Sequence, residues 1–304
     1  MKTIPSLLLI LGLGLPCAPA KEAKEIKTIK VGEKPESVCR GFGGKLYVTM
    51  INGDIAGDGA VIVLDGDIST VFAKGLNNPK GLAFAGEFLI TADEKTVWKI
   101  DAQGKATVLA AEKDFPHAIE FLNDVATSLD GRSVYVTEMS SPKPWFDPSG
   151  ERKLWPLDSP QAKELAAKGC VYRITLDGKI TLAVPPGDKR MLGPNGVTVT
   201  RVNGKEALVM GDFFTGNLVL YQAGKMQVLA TGLRGADAVE VGEETIYVSS
   251  WPLGKVWAVD RKTGKNKVLR EGMTTAADFY FDRKARHLII PDMLEGTLTF
   301  LPLD

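Results

Sequence analysis

Leu122-Asn-Asp-Val-Ala-Thr127, followed closely by Val134-Tyr-Val-Thr137, is the stretch from which the fold can be read. Apolar and polar residues alternate in both runs, and Asp130-Gly131 between them is turn chemistry, so each run reads as a half-buried strand. The first run recurs as Pro35-Glu-Ser-Val38, Pro79-Lys-Gly-Leu-Ala-Phe84, Pro194-Asn-Gly-Val-Thr-Val199, Ala236-Asp-Ala-Val-Glu-Val241 and Ala277-Asp-Phe-Tyr-Phe281. The second recurs as Leu46-Tyr-Val-Thr49, Leu208-Val-Met210 and Ile246-Tyr-Val-Ser249. A third strand ending at a Gly hairpin follows (Val63-Leu-Asp-Gly66, Ile174-Thr-Leu-Asp-Gly178), and then a fourth (Ser69-Thr-Val-Phe72, Lys179-Ile-Thr-Leu182).

The second position of the first strand falls at residues 36, 80, 123, 195, 237 and 278, with spacings of 44, 43, 72, 42 and 41. Six four-stranded units of that length predict an all-β fold, a six-bladed β-propeller. Two separate β-sandwiches are the alternative, and the phased repeat argues against them. The sixth unit has a third strand, Gly296-Thr-Leu-Thr-Phe-Leu301, with nothing after it. Its missing partner is expected in Glu25-Ile-Lys-Thr-Ile-Lys-Val-Gly32, which would close the last blade as its outer strand and leave no open sheet end. The spacing of 72 hides an insertion of about 30 residues, at about 140–169, between Met139 and Gly169. It carries Pro142-Lys-Pro-Trp-Phe-Asp-Pro148, Trp155-Pro156 and a short helix candidate over 160–167. Such a loop is either a lid or binding loop, or surface packing by its two Trp.

The chain of 304 residues has 37 Lys+Arg and 37 Asp+Glu, evenly spread, which argues against a nucleic-acid partner or a polybasic membrane surface. Met1-Lys2, the apolar run from Ser6 to Leu15 and Ala18-Pro19-Ala20 have the plan of a secretory signal peptide over 1–20. The run is too short to span a membrane. Cleavage near Ala20 would release one domain, 21–304, as an exported protein, periplasmic or secreted, expected to be monomeric. Cys17 would leave with the signal. Cys39 and Cys170 fall in different repeat units, so two unpaired buried thiols are expected rather than a disulfide.

In a propeller the first strand of each blade lines the central channel, so the six second positions meet at one mouth. They are Glu36, Lys80, Asn123, Asn195, Asp237 and Asp278, all polar, each at the head of an apolar strand. Any one alone reads as turn chemistry; convergence in register does not. Glu36, Asn123, Asn195 and Asp237 offer two carboxylates and two amide carbonyls, hard oxygen ligands suited to Ca²⁺. The chain has two His in all, and neither His nor Cys is in the set, which disfavours zinc. A solvated polar channel without metal is the alternative.

The order of motifs resembles the gluconolactonase–regucalcin family of six-bladed propellers, with paraoxonase as a more distant relative. The resemblance covers essentially all the mature chain. It is most specific in Leu122-Asn-Asp-Val-Ala-Thr-Ser-Leu-Asp-Gly-Arg132 with Val134–Thr137, and in Gly193-Pro-Asn-Gly196. It implies that Glu36, Asn195 and Asp237 bind one divalent cation, usually Ca²⁺, with Zn²⁺ or Mn²⁺ as other candidates. Asn123 matches a residue that binds substrate in some members and the metal in others. Members commonly hydrolyse lactones or related esters, so a hydrolase of the sugar-lactonase type is implied, with a small-molecule lactone or ester as substrate. In that chemistry a cation polarises the carbonyl, Asp237 is the candidate base, and Asn123 orients the substrate oxygen. A metal-bound carboxylate is a weak base, which counts against Asp237.

Lys80 is a departure, since paraoxonase-like proteins have His at the second-blade position. Lys80 either binds a substrate carboxylate or forms a salt bridge to Asp278 or Glu36. Asp278 is a further candidate for substrate binding. His117 reads as an inter-blade loop residue and His287 as the start of a second strand. The loops after the second strands should reach the same mouth, bringing in Met50-Ile-Asn52, Asp93, Glu138, Asp212-Phe-Phe214, Ser250-Trp251 and Asp292. Phe213, Phe214 and Trp251 would give it an apolar side, with Trp251 against the substrate. The competing functional reading is a non-catalytic, metal-stabilised propeller that holds a sugar or a protein partner. Sugar oxidation with a quinone needs a His base that the ring lacks.

Overall fold

A computed structural model of the chain describes residues 25–53 and 55–303. The signal-peptide segment lies outside the described residues. Six four-stranded antiparallel sheets follow one another around a ring. Blade 1 runs through Pro35–Arg40, Leu46–Met50, Gly59–Asp65 and Ile68–Leu76, from the axis outward. Blade 2 has Pro79–Ala85, Phe88–Asp93, Thr96–Ile100 and Ala106–Ala110. Blade 3 has Leu122–Thr127, Ser133–Glu138, Cys170–Thr175 and Ile180–Val184. Blade 4 has Pro194–Val202, Lys205–Asp212, Leu218–Gln222 and Lys225–Ala230. Blade 5 has Ala236–Val241, Thr245–Ser250, Lys255–Asp260 and Asn266–Arg270.

Blade 6 takes Tyr280–Asp282, His287–Asp292 and Thr297–Pro302 from the C-terminus and Lys27–Lys30 from the other end of the chain. The N-terminal strand pairs antiparallel with the last strand, Lys27 opposite Phe300 and Lys30 opposite Thr297, as the repeat count requires. A second clasp lies at the axis, where the Asp278 amide donates to the Glu36 carbonyl at 3.0 Å. Circular closure removes the sheet edges that an open array would expose.

One apolar cluster fills each gap between neighbouring blades. Ile90, Leu122, Val136 and Tyr172 fill the gap between blades 2 and 3; Ile29, Val48, Ile62 and Leu298 join blade 6 to blade 1. Burial of these alternating faces supplies the main driving force for the ring. Cys39 and Cys170 are buried in different gaps and unpaired. Among the described residues no helix is long and apolar enough to cross a membrane.

The inner strands of blades 1 to 5 share an irregularity. Each shifts register against its second strand between its first and fourth residues, at Pro35/Val38, Pro79/Leu82, Leu122/Val125, Pro194/Val197 and Ala236/Val239. A bulge of this kind bends the strand and re-aims its side chains. In three blades a second-strand hydroxyl accepts the amide that the bulge frees: Thr49 from Ser37 (2.9 Å), Thr137 from Asp124 (2.8 Å) and Ser249 from Ala238 (2.8 Å). Thr49 and Ser249 then donate to carbonyls of the next blade, at Lys80 and Ala277. A buried amide left without a partner would cost about 1–3 kcal/mol, so these hydroxyls make the bulges affordable. At the corresponding point of blade 4, Gly196 lies so close to blade 5 that a Cβ would come within 1.8 Å of the Asp237 carbonyl oxygen.

Ile29 carries the apolar side of the closing strand and is 8% exposed. Ile29→Ala should lower the unfolding free energy by about 2 kcal/mol in chemical denaturation, the low end for a buried Ile→Ala. An unchanged midpoint would contradict closure of blade 6 by the N-terminal strand.

Candidate functional site

The five bulges deliver their second residues to one place. Glu36, Lys80, Asn123, Asn195 and Asp237 form the polar floor of a cavity of about 180 Å³ at the mouth of the channel. All five are buried, with exposures from 3% for Asn195 to 7% for Lys80. Asn195 donates a side-chain hydrogen bond to Asp237, which fixes its amide and leaves its carbonyl oxygen without a partner. Glu36 Oε2 is likewise buried and unpartnered. The Asn123 amide donates to Met139 Sδ at 3.0 Å, which turns its carbonyl oxygen to the opposite side. Lys80 Nζ donates to Asn78 Oδ1 at 2.9 Å and lies 4.8 Å from the centre of the Phe121 ring.

Burial dominates the electrostatics. The Glu36 carboxyl is pushed well above its ordinary range, first by desolvation and then by the charge of Asp237. Asp237 is raised to about 7 by burial and the charge of Asp124, against the partial relief of Lys80 and Asn195. Two buried carboxyls that resist ionisation, one with an unpartnered oxygen, stand beside the unpartnered Asn195 carbonyl oxygen, and a cation could satisfy all three groups. The donors are mixed carboxylate and amide oxygens, the set that suits Ca²⁺. Among the described residues no three His, Cys, Asp or Glu side chains group as a metal site, so any ion here depends on the amides.

Asp278 lies elsewhere. The sixth inner strand begins only at Tyr280 and pairs without a bulge, so residue 278 is not turned to the mouth. It lines a second cavity of about 260 Å³, farther along the inner strands, with Asp124 and Glu240. There it accepts a hydrogen bond from Ser37 Oγ, and that oxygen accepts the Leu82 amide at 3.0 Å. Asp124 was not anticipated from the sequence. Its two oxygens accept the amides of Val125 and Val197, each at 2.6 Å, tying blade 3 to blade 4 directly behind Asn123 and Asn195. Asp124 also shares a side-chain hydrogen bond with Asp278. Burial raises Asp124 to about 6, and burial with the Asp124 charge raises Asp278 further.

The carboxylates at the ends of the second strands do not wall the cavity. Asp93 accepts the Asn77 and Asn78 amides, Asp212 those of Gly193 and Thr215, and Asp292 those of Thr274 and Thr275; Glu138 accepts the Phe121 amide. They staple the loop that leads into each inner strand. The walls come instead from Phe121, Met139, Pro142, Phe146, Phe213, Trp251 and Met293. His117 is exposed on its loop, and His287 opens a second strand, as the sequence implied.

The insertion between the second and third strands of blade 3 reaches the mouth. Trp145 is buried 5.9 Å from Phe213 and 6.1 Å from Phe214, ring to ring. Gly193 makes room for it, since a Cβ there would fall 1.9 Å from the Trp145 ring. Arg234 donates to the Trp155 carbonyl (2.8 Å) and Arg152 to the Thr274 carbonyl (2.6 Å), pinning the segment to the loops that enter blades 5 and 6.

Because Glu36 and Asp237 hold protons in the folded state that the unfolded chain releases near pH 4, cation-free protein should lose stability as the pH rises from about 4 to about 7. Thermal melts in chelator should therefore show Tm falling from pH 5 to pH 8, and Ca²⁺ should restore it at pH 8. A flat or rising Tm would contradict the carboxylate cluster.

Neither a protein-family model nor a curated protein sequence matches the chain. Solved structures match over almost its whole length. A gluconolactonase from Xanthomonas campestris aligns with a TM-score of 0.68 at 19% identity, covering 91% of this chain and 88% of that one. Regucalcin from Agrobacterium tumefaciens, described as a calcium-binding protein, aligns with a TM-score of 0.63 at 17% identity, covering 90% of each. A chain of a nidogen/laminin complex aligns with a TM-score of 0.60 at 16% identity, covering 82% of this chain and 94% of that one. At these identities the likeness is one of fold: the chain is a six-bladed β-propeller of the kind found in gluconolactonase and regucalcin.

Proposed function

We propose that the protein is a divalent-cation-dependent hydrolase of lactones or related esters, with Ca²⁺ the best-suited ion. The observation that carries this reading is the floor of the mouth cavity, where Glu36 Oε2 and Asn195 Oδ1 are buried and unpartnered beside Asp237 and Asn123. Glu36, Asn195 and Asp237 would hold the cation, with Asn123 the fourth oxygen. When bound, the ion supplies Lewis-acid polarisation of a carbonyl oxygen.

The remaining work falls to the chain. Asn195 holds the Asp237 carboxylate in place through its amide, so Asp237 is positioned to take a proton from a water above the floor. Its elevated pKa falls back when a divalent charge is nearby, which keeps it ionised at neutral pH and limits its strength as a base. Asn123, turned by its bond to Met139, directs the substrate oxygen. The insertion, pinned beside the mouth, supplies Pro142 and Phe146 to the wall above the reacting groups. Likeness in fold to a gluconolactonase and to regucalcin supports the same reading. A fold of this kind also occurs in the nidogen/laminin complex, so a non-catalytic binding module is the competing reading. Export before function, with a small molecule met outside the cytoplasm, belongs to the same proposal.

Chelator-stripped protein should hydrolyse no lactone or aryl ester of a broad panel. Addition of Ca²⁺, Zn²⁺ or Mn²⁺ should restore turnover, followed by proton release. Asp237→Ala should lower kcat about 10²–10⁴-fold with the fold intact by circular dichroism. No hydrolysis with any of the three ions would overturn the proposal in favour of the binding module.

A further inference from the structure

Above the polar ring sits a second ring, also in register. The residue that follows the second strand is Met139 in blade 3, Phe213 in blade 4, Trp251 in blade 5 and Met293 in blade 6, and all four line the mouth cavity. Phe121, on the loop into blade 3, and Pro142 and Phe146, from the insertion, complete the collar. The few polar atoms of these walls are already engaged. The Trp251 indole N–H donates to Met293 Sδ at 3.0 Å, and the amide of Asn123 to Met139 Sδ at 3.0 Å. Among the described residues the polar groups that line the cavity are confined to the floor, where Glu36, Asn123, Asn195 and Asp237 are taken up by the proposed chemistry and Lys80 lies against Asn78 and the Phe121 ring.

A polyhydroxylated sugar lactone seated on that floor would press its hydroxyls against Phe, Trp, Met and Pro side chains. Each hydroxyl would give up its bonds to water with nothing in return, a cost that a site discriminates strongly. An aliphatic or aromatic substituent at the same points would lose unfavourable contact with water instead. The collar is also specific to one side of the mouth. In blades 1 and 2 the equivalent residues are Ile51 and Glu94, and neither lines the cavity.

We infer that the substrate is a lactone or ester carrying an apolar substituent, which lies between Phe146, Phe213 and Trp251, and not a sugar lactone. The inference rests on the hydrolase reading for the identity of the reacting group and on the collar alone for the substituent. The blade 3 insertion is then the specificity element: it supplies Pro142 and Phe146 and is pinned at Thr274 and by Arg234.

The test uses lactams, which resist hydrolysis, on the full-length Ca²⁺-loaded protein, so that binding is read apart from turnover. Valerolactams with alkyl substituents from ethyl to hexyl are titrated by quenching of Trp fluorescence, against gluconolactam. Affinity should rise about fourfold per methylene over the first carbons, equivalent to about 0.8 kcal/mol each, and then level off. Gluconolactam should bind at least tenfold more weakly than the butyl compound. Phe146→Ser, at a half-buried position against Phe213, should flatten the chain-length dependence with the fold intact by circular dichroism. Equal or tighter binding of gluconolactam, affinity independent of chain length, or no binding of any lactam overturns the inference. Chain-length-dependent lactam binding with no hydrolysis of the matching lactones sustains the collar's preference for an apolar substituent and overturns the hydrolase reading.

Discussion

The rest of the structure depends on one backbone irregularity repeated five times. A regular inner strand alternates its side chains between the two faces of its blade, toward the neighbouring blades, and sends none straight along the channel. The register shift at the start of the inner strands of blades 1 to 5 breaks that alternation and turns one residue from each of these blades toward the mouth. Second-strand hydroxyls absorb the amides this frees, and Gly196 lets neighbouring blades approach at the same level. Ring closure by the N-terminal strand converts five local bends into one shared site.

Convergence has an electrostatic cost. Glu36, Asp124 and Asp237 are buried near the axis and Asp278 is half-buried beside them, and among the described residues Lys80 is the cation to which Glu36 and Asp237 respond. The structure divides the burden. Asp124 spends its charge on two backbone amides and shares a proton-bearing contact with Asp278, on the inner side of the ring. Glu36 and Asp237, at the mouth, have no such saturation, and their oxygens stand with those of Asn123 and Asn195. Such an arrangement is costly without an ion, and under the proposed function a divalent cation would satisfy it.

Much of this was legible in the sequence because a propeller repeats at a fixed period. The blade count, the N-terminal closure and five of the six floor or near-axis positions follow from phase alone. Asp278 broke the phase rule because the sixth inner strand is short and unbulged, and no local residue pattern announces a bulge. Asp124 was hidden beside Asn123 at the head of its strand; its second partner, Val197, is far away in the chain. Asp93, Glu138, Asp212 and Asp292 lie at the right height but turn back to their own loops, where unpaired amides compete for them more strongly than solvent does. Of the neighbouring apolar residues, Phe213 and Trp251 were legible as pocket walls, Met139 and Met293 were not, and Phe214, expected with them, does not line the cavity.

The central claim is that this converging set of oxygens binds a divalent cation, and calorimetric titration of Ca²⁺ into chelator-stripped protein tests it most directly. The account predicts saturable binding of one ion at the mouth, weakened at least about tenfold by Glu36→Gln and by Asn195→Ala in variants that melt as cooperatively as the parent. Absence of binding to the parent protein, or binding that neither substitution weakens, would contradict it.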